Sequence, residues 1–217
     1  MGKKKVLMIV GIIILLLLII FIISVARKYI IINKLAKTKE EFLSSSNYSY
    51  SFISDSTGNV VCEYLYKDGK SMEIWKTNDN VDNIIWYDET TKEHISINAK
   101  TSTAIVSHSE TYEAFPDSVA NTILSSVLPD KAMDKMKIAL TFSISTKEFD
   151  GEKCYVLQPF TGIVSNTYYF NKENRTMSKT SMGENNNIRF ENWALNQVTD
   201  DVVSRPDLNG YVVTFND

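Results

Sequence analysis

The sequence predicts an α+β protein: a large antiparallel sheet of about ten or eleven strands, covered by helices and preceded by one transmembrane helix. Three observations carry this reading. Val6 to Val25 is a run of twenty uncharged, almost wholly apolar residues. From Asn47 onward the hydrophobic period changes to two, the period of a half-buried strand. An amphipathic helical stretch near residues 116–136 interrupts the strands once.

The apolar run reads VLMIVGIIILLLLIIFIISV, with Gly11 and Ser24 as its only breaks. At about 1.5 Å rise per residue, a helix of this length crosses a hydrocarbon core of about 30 Å. A secretory signal also begins with lysines and an apolar core, and Ser24-Val25-Ala26 would serve as a cleavage site. The run exceeds the usual signal core and no lipoprotein-type Cys follows, so residues 6–25 are expected to stay as an anchor. Lys3, Lys4 and Lys5 place residues 1–5 in the cytoplasm and the rest of the chain outside the cell membrane. Arg27, Lys28, Lys34, Lys37 and Lys39, on the other side, weaken that bias.

Residues 26–46 continue the helix. Ile31, Leu35, Phe42 and Leu43 recur near helical spacing, and Ser44-Ser45-Ser46-Asn47 ends the pattern. Residues 47–217 make the β domain. Tyr48, Tyr50 and Phe52 alternate with serines, Asp55 to Gly58 turns, and Val60 to Tyr66 pairs back through the hairpin turn Lys67-Asp68-Gly69-Lys70 into Ser71 to Lys76. Asn78 to Asn83 reads as a polar loop before the hairpin of Ile84–Tyr87 and His94–Ile97, and Thr101 to Ser107 follows. Phe115-Pro116-Asp117 opens the helical insertion, with Val119, Ile123, Leu124 and Val127 on one face. Leu128-Pro129-Asp130 breaks it, and Lys131 to Lys137 gives a short helical turn. Ile138, Leu140, Phe142 and Ile144 then alternate with small polar residues, as a strand does. Asp150-Gly151 turns into Lys153–Gln158. Asn166–Phe170, Thr176–Ser181 and Ile188–Leu195 follow, and Tyr211, Val213 and Phe215 close the chain.

Charge is divided unevenly. Residues 1–28 carry five bases and no acid, leaving 18 bases against 26 acids, a net of −8, in the remainder. The basic end suits anionic headgroups. The acidic domain excludes nucleic acid as a partner, since phosphate binding needs clustered Lys and Arg.

At this point the pattern resembles the LolA/LppX-like superfamily. The stretches that carry the resemblance are Asn47–Phe52 after a helix, Leu65–Lys70, Ile85–Asp88 with Thr91-Lys92, Phe149–Val156 after a helical insertion, and Tyr168–Glu173. The resemblance covers residues 30–217 and implies a strongly curved half β-barrel with helices plugging its mouth. It also implies non-enzymatic binding of a lipid or lipoprotein acyl chain in an apolar cavity. The alternative is a protein-interaction or scaffold subunit of a cell-envelope, sporulation or germination complex. A retained anchor departs from the shuttle pattern of the family, because a carrier must leave the membrane.

Tyr50, Phe52, Tyr64, Trp75, Trp86, Leu140, Phe142, Tyr168, Phe170 and Trp193 are the residues that would line such a cavity; the same residues equally suit a packed core. Cys62 and Cys154, the only cysteines, allow one disulfide or two buried thiols. His94 and His108 lack the spacing of a metal site, no metal or cofactor is expected, and no nucleophile elbow or phosphate-cradling glycine loop occurs. Asp88/Glu89 and Asp200/Asp201 read as solubilising loop charges.

Overall fold

The computed structural model describes residues 3–54, 60–160, 166–182 and 186–216; the turns expected at Asp55–Gly58 and around Asn185 lie outside or partly outside them. Among the described residues, twelve strands make one open sheet, in the order β12-β6-β5-β4-β3-β2-β1-β11-β10-β9-β8-β7. Two antiparallel meanders compose it. The first is β1 (Asn47–Ser54), β2 (Val60–Lys67), β3 (Lys70–Thr77), β4 (Asn80–Asp88), β5 (Glu93–Asn98) and β6 (Thr103–His108). The second is β7 (Phe142–Phe149), β8 (Glu152–Pro159), β9 (Asn166–Asn171), β10 (Met177–Met182) and β11 (Asn186–Leu195). Pairing of β1 with β11 joins them, and β12 (Val212–Asn216) adds a parallel edge strand on β6. The α+β reading of the sequence is thus what the chain adopts.

Helix α1 (Lys3–Leu43) runs unbroken from the apolar span into the domain. Its large side chains from Val6 to Ile23 are exposed, and this helix is long and apolar enough to cross a membrane. Further along, Ile32, Leu35, Ala36 and Phe42 are buried against the sheet. Full burial of each large one contributes about 1.5–3 kcal/mol. Helices α2 (Phe115–Val127) and α3 (Ala132–Thr141) link β6 to β7, which lie near opposite ends of the strand order. The crossover therefore has to traverse one face, and it covers that face together with α1.

Tight turns set the register. Asp68-Gly69, Asn78-Asp79 and Asp150-Gly151 all take positive φ at both residues, as two-residue hairpins require. Asn78-Asp79 is therefore a turn and not the start of a longer loop: β4 begins at Asn80, and the expected loop to Asn83 is strand. The strand expected from Ile138 is also helical through Thr141. Ala139 is fully buried on α3, and α3 runs along α1. A small side chain at a helix–helix contact, among Met, Lys, Ala and Leu, overrides a short alternation.

The apolar side of the sheet changes face along it. In β1 and β2, Tyr48, Tyr50, Phe52, Cys62 and Tyr64 are buried toward the helices. In β4 to β6 the buried residues are Trp86, Ile95, Ile97, Ala104 and Val106, on the opposite face. The segment between β11 and β12 covers them with Val198 and Val203, and Trp86 Nε1 donates to Val203 O at 2.9 Å. Asn47 clamps that segment through two bonds with the Val198 backbone, at 2.9 and 3.0 Å.

Candidate functional site

Eight of the ten expected cavity residues come together on the helical face. Tyr50, Phe52, Tyr64, Tyr168 and Phe170 are buried in one cluster, with Trp75, Phe142 and Trp193 packed on it. Their rings meet each other directly: Tyr50 and Trp193 stack at 4.5 Å, and Phe52 meets Phe190 edge-on at 5.7 Å. Between α1, α2 and this part of the sheet the free space is about 20 Å³, lined by Leu35, Phe42, Leu124, Leu128, Phe170 and Trp193 among others. That is room for about one water.

The other two residues lie elsewhere. Trp86 belongs to the second cluster, because Ile84-Ile85-Trp86-Tyr87 is apolar throughout and its parity turns Trp86 away from the helices. Leu140 is on α3 and exposed. Cys62 and Cys154 are free thiols. Their strands are five steps apart in the sheet, about 24 Å at the usual strand spacing, and they face opposite sides. The disulfide allowed by their number does not form, and burial pushes the Cys62 thiol far above its ordinary value.

An open cleft of about 300 Å³ lies where α1 ends and α2 begins. Tyr48, Tyr64, Tyr66, Tyr87 and Tyr112 wall it, with Glu89, Glu113 and Asp117 at its polar positions. The strands supply Tyr48, Tyr64, Tyr66 and Tyr87 because these residues share the helix-facing parity across β1, β2 and β4. Tyr48 lies 5.2 Å from Tyr66 and 5.9 Å from Tyr64 between ring centroids, and Tyr87 lies 5.1 Å from Tyr112. No basic side chain is among the described residues that line this cleft.

Two of its carboxylates, Asp117 and Glu89, are held in place. The Tyr48 hydroxyl donates to Asp117 Oδ1 at 3.1 Å, and Asn121 Nδ2 donates to Oδ2 at 3.3 Å. The Glu89 N–H donates to Gly69 O at 2.8 Å, and Gly69 sits at a positive φ where a Cβ would meet Glu89 at 3.3 Å. Tyr66 donates to Glu89 at 3.4 Å. Behind the cleft, Glu73 is buried and accepts from the Tyr112 hydroxyl and, at 2.9 Å, from Trp75 Nε1. Burial raises the Glu73 and Asp117 carboxyls above their ordinary values and raises the hydroxyls of Tyr48 and Tyr112 as well. Sequence reasoning missed Glu73, Tyr66, Tyr87, Tyr112, Glu113 and Asp117, and read Glu89 as a solvated loop charge. One signal was legible: Glu73 has the parity of Trp75, which places it on the aromatic side.

No family model matches the chain, and no curated protein sequence is significantly similar to it. Solved structures do match. An uncharacterised conserved protein from Thermus thermophilus aligns at TM-score 0.50 and 8% identity, over 85% of this chain and 98% of that one. MucB, solved in complex with MucA(peri), aligns at TM-score 0.42 and 13% identity, over 85% of this chain and 61% of MucB. PNGF-II aligns at TM-score 0.32 and 7% identity, over 79% of this chain and 30% of PNGF-II. The first likeness shows a shared fold and nothing more; the other two are too distant to carry an argument.

Proposed function

We propose that the chain is a membrane-anchored, extracytoplasmic, non-enzymatic interaction module, and that its tyrosine-walled acidic cleft takes a cationic segment of a partner protein. The resemblance to LolA/LppX-like proteins supports a binding role for a fold of this kind. The observation that carries the ligand chemistry is the cleft itself. The tyrosine wall suits a cation, and three carboxylates with no base among the described residues that line the cleft favour positive charge there. Its position supports the choice of partner. The cleft meets α1 near Leu43 to Ser45, about 27 Å beyond Val25 along the helix, a reach suited to proteins at the membrane and remote from acyl chains inside it. The packing of the aromatic cluster under the helices favours this reading over the acyl-chain one, since the gap between α1, α2 and the sheet is too small for a chain.

Calorimetric titration of the full chain in nanodiscs tests the proposal, with a Lys/Arg-rich peptide and a Glu-rich peptide of equal length as probes. Only the basic peptide is expected to bind, and Glu89→Gln with Glu113→Gln should weaken it about tenfold, or about 1.4 kcal/mol. Affinity should rise with pH as Asp117, whose carboxyl burial holds above its ordinary value, becomes an anion. Equal or absent binding of both peptides, with acyl lipid retained stoichiometrically after delipidation, would favour the acyl-chain reading instead.

A further inference from the structure

We infer that the domain has a second membrane contact, a foot formed by Leu140 and Phe160 that rests in the lipid headgroup layer beside α1. It builds on α1 being a bilayer span. Helix α1 has no break between Val25 and the domain, so the domain's height above the bilayer is fixed by the helix. Lys28 lies three residues past Val25, about 4.5 Å along the axis. Side chains on a helix lean toward its N-terminus, so the Lys28 ammonium leans back toward the bilayer. That ammonium donates to Phe142 O at 2.8 Å and lies 4.7 Å over the Phe160 ring. The Phe160 N–H in turn donates to Thr141 O at 2.9 Å, which ties the end of β8 to the end of α3.

These bonds place the junction of α3 with β7, and residue 160, at the level of Lys28. The headgroup layer is about 5–8 Å thick on each side of the hydrocarbon. Leu140 and Phe160 therefore sit inside it, and they are 46% and 59% exposed to whatever surrounds the domain. An aromatic ring with a lysine over its face, and a leucine near them, make an interfacial anchor of the kind found at bilayer surfaces. The occupant is thus the surface of the same membrane that α1 crosses. With the span on one side and the foot on the other, the domain is held upright.

Nitroxide labels read the depth directly. The full chain, with Cys62 and Cys154 replaced by alanine, is labelled singly at Leu16→Cys, Glu41→Cys, Leu140→Cys or Phe160→Cys and placed in phosphatidylethanolamine/phosphatidylglycerol nanodiscs. Collision with oxygen is compared with collision with a water-soluble nickel chelate. Labels at 140 and 160 should give an oxygen-to-nickel ratio between that of the label at 16, which favours oxygen, and that of the label at 41, which favours nickel. Labels at 140 and 160 that behave like 41, with 16 still in the bilayer, would overturn the foot and leave the anchor standing. A nickel-accessible label at 16 would remove the anchor, and the foot with it.

Discussion

Glu73 sits in β3 between Met72 and Ile74, with 1% of its surface exposed. Burial penalises its anion more than the donors Tyr112, Trp75 and the Phe115 backbone stabilise it, so the folded chain keeps the proton to higher pH. In the unfolded chain this carboxyl titrates near 4.5. The group's contribution to stability is then complete below that value and is lost as pH rises through the raised folded value. Glu73→Gln cannot titrate. The urea midpoint of the natural chain relative to that variant, measured in detergent from about pH 4 upward, should fall with pH and then level. A difference that stays flat would show that Glu73 titrates alike in both states. Glu73 was readable as an inward residue from its parity with Trp75, but its partners were not. Tyr112 lies in a segment without periodicity, and only the folded chain brings it to β3.

At the scale of elements, Lys39 decides how α2 ends. It is 7% exposed and its ammonium donates to Leu128 O at 2.9 Å and to Asp130 Oδ1 at 2.8 Å. Leu128 caps the C-terminus of α2, where carbonyls lack helical partners and a cation is favoured. Asp130 is largely exposed, so its ion pair adds little. The buried carbonyl is what matters: Lys39→Met, which keeps the stem, should cost about 1–3 kcal/mol through that unsatisfied acceptor. Lys39→Ala should cost more. Amide exchange should quicken in residues 115–127 in both, and unchanged exchange there would refute the role. Hairpins were legible because Asp-Gly turns announce themselves chemically. The length of α3 was not, because Ile138 to Thr141 fits both periods, and its packing on α1 chose the helix.

For the whole molecule, the change of apolar face is the central feature. One side of β1 to β3 is covered by helices, while the other side of β4 to β6 is covered by the irregular segment before β12. Removal of residues 196–217 would expose Trp86, Ile95 and Val106 together and remove the acceptor of the Trp86 N–H. A truncated chain ending at Leu195 should show red-shifted tryptophan emission and self-association by light scattering, as an uncovered apolar sheet face does. Unchanged emission and a monodisperse chain would show that the segment covers nothing essential.

The sequence by itself determined the apolar span, the helix that continues from it, the two strand meanders and the helical crossover between them. Each rests on local periodicity or turn chemistry, which a stretch of ten or so residues carries alone. The tertiary structure decided which face each strand buries, the separation of Cys62 from Cys154, and the assembly of the tyrosine cleft. Those depend on pairing between strands far apart in the chain. A run such as Ile84 to Tyr87 is apolar on both sides and cannot choose a face until its neighbours do.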